Sequence, residues 1–475
     1  MSGICLTWGC QKQSIQQLPN IIIIFADDQG YGDLGTYGAI GYTTPHLDKL
    51  AAEGIRFTNF YSAQAVCSAS RAGLLTGCYP NRINIHGALM PWSKNGLHEN
   101  EITIAEMLKP KGYATAIFGK WHLGHQKKFL PLQHGFDEYF GLPYSNDMWP
   151  VNFDGTPNTD TTSWKARYPI LPLIDGNEKI GEIKTFEDQA TLTTRYTERA
   201  VQFIEKNKNQ PFFLYMPHSM PHVPLGVSNK FKGKSKQGMY GDVIMEIDWS
   251  VGRIVEALET NGLSDNTLII YVSDNGPWLN FGNHAGSTGG LREGKGTSFE
   301  GGQLVPAIMK WPDKIAANQT KNTLMSTIDI LPTIAEITGT PLPEHKIDGI
   351  NMLPVLLGDN VNPRDHFFYY YGVNNLEAVR KGHWKLIFPH KHRSYIGHEP
   401  GNDGWPGSTH TDSISLELYN LRRDPGERYN VIDRHPDIVE QLKILGEKAR
   451  EDMGDAITGR EGKNNRDCGW VDQPE

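Results

Sequence analysis

The chain has 475 residues, 38% hydrophobic and 21% charged, with a formal net charge of −8. That length leaves room for one large domain and a smaller one, and the composition is that of an ordinary globular protein. An acidic balance without a basic run argues against a nucleic-acid partner, five cysteines are too few for a disulfide framework in a chain of this size, and no run of about 18 apolar residues is present to span a membrane.

Residues 1–19 read as a leader remnant or tether. Gly9-Cys10 has the look of a lipidation junction, which gives the expectation of an exported, periplasmic or lipid-anchored protein; a start-site remnant fits as well. Asn20-Ile-Ile-Ile-Ile-Phe25 is an unbroken β-branched run, the pattern of a parallel strand buried on both faces. It delivers Asp27 and Asp28 at its carboxyl end, where open α/β sheets place ligands. Two adjacent carboxylates repel, and a hard cation relieves that; a solvated turn suits the same residues. A helix is predicted over 45–54 and a strand over 57–61. Next, Val66-Cys67-Ser68-Ala69-Ser70-Arg71-Ala72-Gly73-Leu74-Leu75-Thr76-Gly77 sets a thiol and small residues at a helix start. Arg71 follows one turn on, on the same face, and the helix start adds partial positive charge.

A helix over 103–109 and a strand over 113–118 lead into Gly119-Lys120-Trp121-His122-Leu123-Gly124. Lys120 and His122 alternate in an extended segment and so share a side. Residues 126–190, rich in turn residues and including Ser145, read as an insertion over the cleft. A helix over 186–206 and a strand over 211–216 precede a Pro-rich loop carrying His218 and His222. A helix over 239–258 and a strand over 267–272 end in Asp274 and Asn275. The Gly-rich segment 289–302 carries Lys295; no strand–Gly-rich–helix unit surrounds it, so a dinucleotide site is rejected. A strand over 304–311, a helix over 326–338 and a linker over 340–365 follow. Short strands near 366–371, 377–380, 384–388 and 416–420 predict a small antiparallel sheet, closed by a helix over 435–453. Between them, 389–413 reads as a long loop bearing His390, His392, Arg393, His398, Trp405 and His410.

In this order the segments resemble the type I, formylglycine-dependent sulfatases, closest to the arylsulfatase A and N-acetylgalactosamine-6-sulfatase branch. The signatures are Cys67-x-Ala69-Ser70-Arg71 with Leu75-Thr76-Gly77, where Ala69 replaces the usual Pro, and Gly119-Lys120-x-His122. The resemblance implies an α/β, alkaline-phosphatase-like sandwich with a central mixed, mostly parallel sheet flanked by helices, plus a smaller C-terminal antiparallel sheet with a helix. The catalytic domain would cover 20–360 and a C-terminal subdomain 361–475, the latter contributing to the cleft. It implies one Ca²⁺ held by Asp27, Asp28, Asp274, Asn275 and residue 67. It also implies that a formylglycine-generating or anaerobic sulfatase-maturing enzyme oxidises Cys67 to formylglycine, whose hydrated aldehyde attacks sulfur.

By the same resemblance, Arg71 and Lys120 hold the hydrated aldehyde, His122 is the base that collapses the sulfated intermediate, and Lys120 and Lys295 neutralise sulfate. His222 contacts sulfate and protonates the leaving oxygen, with His218 as competitor, and Ser145 contacts sulfate. Leu304 stands where the family has Arg, which is expected to alter support of the Lys295 loop. The expected substrate is a sulfated carbohydrate, an algal polysaccharide or a glycosaminoglycan oligosaccharide, with Trp92, Trp149 and Trp278 as candidate sugar platforms. A formylglycine-dependent phosphodiester or phosphonate ester hydrolase and an inactive sulfated-glycan-binding relative are the alternatives.

Overall fold

The apolar run near the amino end forms the middle of the molecule. In this computed structural model residues 18–472 are described; Cys5, Cys10 and the leader expected ahead of them lie outside the described residues. Ten strands make the main sheet: β1 (Asn20–Ala26), β2 (Ile55–Phe57), β3 (Ala114–Lys120), β4 (Glu138–Leu142), β5 (Leu171–Asp175), β6 (Glu178–Ile183), β7 (Phe212–Pro217), β8 (Thr267–Ser273), β9 (Ala307–Lys310) and β10 (Gln319–Lys321). Their spatial order is β10-β2-β9-β8-β1-β7-β3-β4-β5-β6. The five central strands, β8 to β4, run parallel, and antiparallel pairings begin on either side of them. The sheet is therefore mixed and mostly parallel, as the resemblance implied.

Every residue of β1 is buried. Ile22, Ile24 and Ala26 feed one core, packed by α1 (Pro45–Ala52), α3 (Leu192–Lys206) and α4 (Gly238–Thr260). Ile21, Ile23 and Phe25 feed the other, packed by α2 (Cys67–Thr76) and α5 (Ile330–Thr338). A strand covered on both faces has no polar face, which is why its sequence does not alternate. Each of its isoleucines contributes about 1.5–3 kcal/mol by burial.

The smaller sheet runs antiparallel in the order β11 (His366–Tyr371), β12 (Asn375–Lys381), β13 (Trp384–Ile387), β16 (Glu417–Asn420). Helix α6 (Pro436–Met453) closes its core through Val439, Leu442, Ala449 and Met453. Three sequence readings need correction. Residues 126–190 are not a loose insertion throughout, because β4, β5 and β6 extend the main sheet; the long irregular stretch is the one between β4 and β5. Residues 389–413 are not one loop: β14 (His390–Ser394) and β15 (His410–Ile414) pair as an antiparallel ladder. His-Lys-His-Arg-Ser has no apolar alternation to betray a strand. The helix expected over 186–206 is also broken, at Thr191.

A buried ion cluster fastens the two sheets together. Lys385 on β13 donates to Glu300 (3.0 Å) and to the Ser298 carbonyl (2.8 Å) and is ion-paired with Glu427 (2.7 Å), and its ammonium lies 4.0 Å from the Tyr369 ring centroid. Arg380 on β12 donates to the Tyr61 hydroxyl, which donates to Glu300. Leu304 is buried in the apolar cluster with Tyr61 and Phe299, so the cations that hold this segment come from the C-terminal sheet. Removing one partner of a buried ion cluster strands the opposite charges. Lys385→Met is expected to lower stability by about 3–5 kcal/mol in urea unfolding followed by fluorescence; a loss under about 1 kcal/mol would show that the cluster does not fasten the sheets.

Candidate active site

The carboxyl ends of β1 and β8 lie side by side, with Ala26 opposite Ser273. The residues that follow are thereby brought together. The Asp28 N–H donates to Asp274 Oδ1 (3.0 Å), and Asn275 Nδ2 donates to Asp28 Oδ1 (2.7 Å). Asp28 has φ +64°, a left-handed conformation that Asp tolerates better than most residues.

Helix α2 points its start at this group. All ten of its residues are buried, and its N-cap, Val66, provides no side-chain cap. The positive end of the helix is thus left without a side-chain acceptor. Arg71, one turn in, donates to Asp274 Oδ2 (2.9 Å) and to the Lys120 carbonyl (2.8 Å), and lies 3.3 Å from Asp27 Oδ2. Lys120 ends β3 and donates to Asp27 Oδ2 (2.6 Å) and to the Ser145 hydroxyl (3.1 Å). The strand brings it there because Gly119 has φ +141° and a Cβ at that position would sit 1.8 Å from the Pro217 carbonyl oxygen; only glycine lets β3 and β7 approach so closely. Lys295 reaches Asp28 Oδ1 (2.7 Å) and Oδ2 (2.8 Å), with its ammonium 4.6 Å from the Trp278 ring centroid. Three buried carboxylates thus face three buried cations around Cys67, itself 2% exposed. Burial pushes the Cys67 thiol up, against the pull of Lys120 and Lys295.

Burial raises the Asp27 carboxyl, but Lys120 and Arg71 outweigh it and hold Asp27 well below the usual carboxylate range. Burial, with Asp27 alongside, pushes Asp274 up to about 7. The crowding is what a hard cation would relieve. Asp27 Oδ1 and Asn275 Oδ1 are buried without a hydrogen-bond partner, and Asp27, Asp28 and His222 offer ligand atoms within 4.8 Å of one another. The donor set therefore fits a metal with a preference for oxygen.

The histidines separate into distinct environments. His222 Nδ1 donates to the Val223 carbonyl (2.5 Å), while Nε2 lies 3.5 Å from Asp28 Oδ2. Burial and then Lys295 lower its pKa. His122, at φ +62°, donates from Nε2 to the Leu89 carbonyl (2.9 Å) and leaves Nδ1 buried without a partner. Burial, Lys120 and Arg71 hold it well below the ordinary imidazole range. His218 is buried with neither ring nitrogen partnered, and burial alone takes it down to about 3. Of the three tryptophans, Trp278 packs against both His222 (ring centroids 5.6 Å apart) and Lys295. Trp149 is buried against Phe186, and the half-exposed Trp92 stacks on Tyr168.

The sequence profile of the sulfatase family matches residues 19–340, and that of the C-terminal region of aryl-sulfatase matches 362–470. The chain belongs to the sulfatase family. Sulfatases hydrolyse sulfate esters, and this one is similar over most of its length to curated relatives. It is 40% identical over 445 residues to human N-acetylgalactosamine-6-sulfatase, covering 89% of this chain and 83% of that one. It is 38% identical over 453 residues to bovine arylsulfatase A, covering 90% and 87%. Among solved structures, the PsFucS1 sulfatase from Pseudoalteromonas sp. superposes with a TM-score of 0.83 at 29% identity, covering 95% of this chain and 92% of that one.

Some neighbours of the sulfatase site have no motif around them. Tyr395 donates to the Lys295 carbonyl (2.6 Å), and Glu293 accepts from Ser394 (2.6 Å) and from the Tyr395 N–H (2.9 Å). Tyr371 packs against the Val66–Ala69 turn. Tyr371, Ser394 and Tyr395 come from the C-terminal part, 76 to 100 residues from Lys295, so no local pattern announces their contacts with this segment. Arg71→Met leaves Asp27 and Asp274 one cation short in a fully buried place. A loss of about 3–5 kcal/mol is expected in chemical unfolding of the protein; an unaltered denaturation midpoint would mean that the carboxylates do not rely on the guanidinium.

Proposed function

We propose that this sulfatase removes sulfate from a sulfated carbohydrate, with Cys67 matured to formylglycine and one Ca²⁺ bound beside it. The observation that carries the reading is the set of three buried cations and a helix start without a side-chain cap converging on a buried residue 67. Asp27, Asp28, Asp274, Asn275 and residue 67 would hold the metal, which supplies Lewis acidity toward a sulfate oxygen. Formylglycine, once hydrated, supplies a hydroxyl nucleophile. Without the metal the carboxylates and cations balance; a divalent ion gives the site the net positive charge that an anionic ester needs.

The chain's own residues do the rest. Lys295 and Lys120 offer fixed ammonium groups to the sulfate oxygens, a preorganised clamp that needs no rearrangement as charge moves. The Ser145 hydroxyl steadies Lys120. Arg71 holds the carboxylates and the end of β3 in register. His122 keeps its proton at Nε2 on the Leu89 carbonyl, so its bare Nδ1 is the basic atom. His222 faces the opposite demand. An anionic ester beside it works against the lowering by Lys295 and favours a proton at Nε2, available to the leaving oxygen. His218 has no charged group acting on it, which favours His222 for that role. The likeness to N-acetylgalactosamine-6-sulfatase and the aromatic lining near Trp278 support a sugar as the group that leaves.

The decisive experiment co-produces the chain with a sulfatase-maturing enzyme. The peptide around residue 67 is then weighed, and turnover is measured on 6-sulfated N-acetylgalactosamine, a sulfated galactan, a phosphodiester and a phosphonate monoester. The expected result is an aldehyde at residue 67 and fastest turnover of a sulfated sugar, lost in Cys67→Ala. An unaltered Cys67 with no turnover supports a non-catalytic glycan binder instead, and faster phosphoester cleavage would falsify the sulfate reading.

Two graded outcomes follow from the contacts. Lys295→Met is expected to lower kcat by about 10²–10³-fold, the usual effect of removing one transition-state donor. Ser145→Ala, which removes one hydrogen bond to Lys120, is expected to lower kcat/KM by only about 2–10-fold. Stripping the protein with a chelator is expected to lower its Tm and abolish turnover, with Ca²⁺ restoring both; an Asp274→Ala variant that still gains Tm from Ca²⁺ would rule out this ligand set.

A further inference from the structure

Beside the charged site, on the far side of Trp278, lies a cavity of about 540 Å³, within the usual range of small-molecule sites. Val223, which follows His222, lines it, and so does Asp147, two residues after Ser145. Its walls are aromatic: Trp149, Phe153, Trp164 and Trp278 contribute rings. Such surfaces suit the apolar faces of sugar rings, with a few polar groups to fix orientation.

Two charged side chains of its wall, one on a buried residue and one on a half-buried residue, lack the partners that such charges normally have. Lys165 is only 5% exposed. Its ammonium lies 4.7 Å from the Phe153 ring centroid and 4.9 Å from that of Trp164, and it has no hydrogen-bond or ion-pair partner among the described residues. Asp147 Oδ1 is buried and also without a hydrogen-bond partner. Of the other acids lining the cavity, Asp154 accepts from Thr156 and Asp403 from Asn283, while Glu187 is exposed. Asp147 and Lys165 feel one another's charge yet form no ion pair. A carboxylate and an ammonium set apart in an aromatic cavity match two hydroxyls of one ring, the first accepting an O–H and the second donating to an oxygen.

We propose that Asp147 and Lys165 are specificity-determining residues that read a pair of hydroxyls on the sugar carrying the sulfate. The inference rests on the carbohydrate reading of the neighbouring site and extends it to particular residues. Neither residue touches the sulfate in this arrangement. They select among sulfate esters through the alcohol part.

The test compares matured wild type, Lys165→Met and Asp147→Asn on two kinds of substrate. One is 4-nitrophenyl sulfate, which has no sugar hydroxyls. The other is whichever of 6-sulfated N-acetylgalactosamine, a sulfated galactose and a sulfated fucose the wild type cleaves fastest. The ratio of kcat/KM on the sugar to that on the aryl ester is expected to fall at least about tenfold in each variant, mostly through KM. A ratio unchanged within about twofold in both variants overturns the proposal. Wild type that cleaves the aryl ester and none of the sugars overturns it together with the carbohydrate reading. Wild type that cleaves no sulfate ester defeats the reading of the charged site alone. Binding of the same sugars, followed by tryptophan fluorescence, then decides for the cavity: loss in Lys165→Met upholds the pair, and equal binding rejects it.

Discussion

Three carboxylates and three cations are buried against one another where β1 and β8 end, and most of the molecule is arranged so that this is tolerable. Moving a single charge out of water carries a penalty of several kcal/mol even after relaxation, so each must meet an opposite charge or a hydrogen bond. Asp27 meets Lys120 and Arg71, Asp274 meets Arg71, and Asp28 meets Lys295. None of these partners is near its mate in sequence. The parallel sheet supplies the convergence: neighbouring strands in register deliver their next residues to one line, at the edge where helix starts also gather. That is why α2 is buried along its whole length and why a guanidinium can sit inside it.

The C-terminal sheet is part of this arrangement rather than an appendage. It reaches the segment bearing Lys295 from two directions. Lys385 and Arg380 pin the end of the segment through Glu300 and Tyr61, and the β14–β15 ladder pins its middle through Ser394, Tyr395 and Glu293. A glycine-rich segment has little conformational preference of its own, so the position of the Lys295 ammonium is set by what grips the backbone on either side. Burial raises Glu427 to about 7 while Lys385 pulls the other way, and Lys385 and Arg380 hold Glu300 low against its own burial. One lysine is thus shared between two acids.

The irregular stretch between β4 and β5 has a different relation to the sheet. Its two flanks are strands that belong to the main core, so it is a long excursion with fixed ends. Ser145 lies just beyond β4 and bonds to Lys120. A little further on, Asp147 and Trp149 turn toward the cavity. The excursion therefore begins beside the charged group and continues along the cavity, which ties the two to one piece of chain.

Much was legible from the chain by itself. The β-branched runs at 20–26 and 267–273 fixed the parallel centre, because strands covered on both faces need continuous apolar sequence. The acid pairs after them, the thiol with Arg71 one turn on, and Gly119-Lys120-x-His122 are local patterns, so they could be read and the family resemblance recognised from them. What could not be read were the features whose cause is not local. Strands β5 and β6 and the β14–β15 ladder lack a clean alternation because edge and hairpin strands are not sandwiched between apolar layers. The grip of Ser394 and Tyr395 on Glu293 and Lys295, and the meeting of Lys385 with Glu300 and Glu427, join residues tens to a hundred or more positions apart. Burial decided the rest: only the fold could make His122 a neutral imidazole with a bare Nδ1 and leave Lys165 without an acceptor. The strength of a charge, and so its chemistry, depends on the water around it, and sequence does not state where water is excluded.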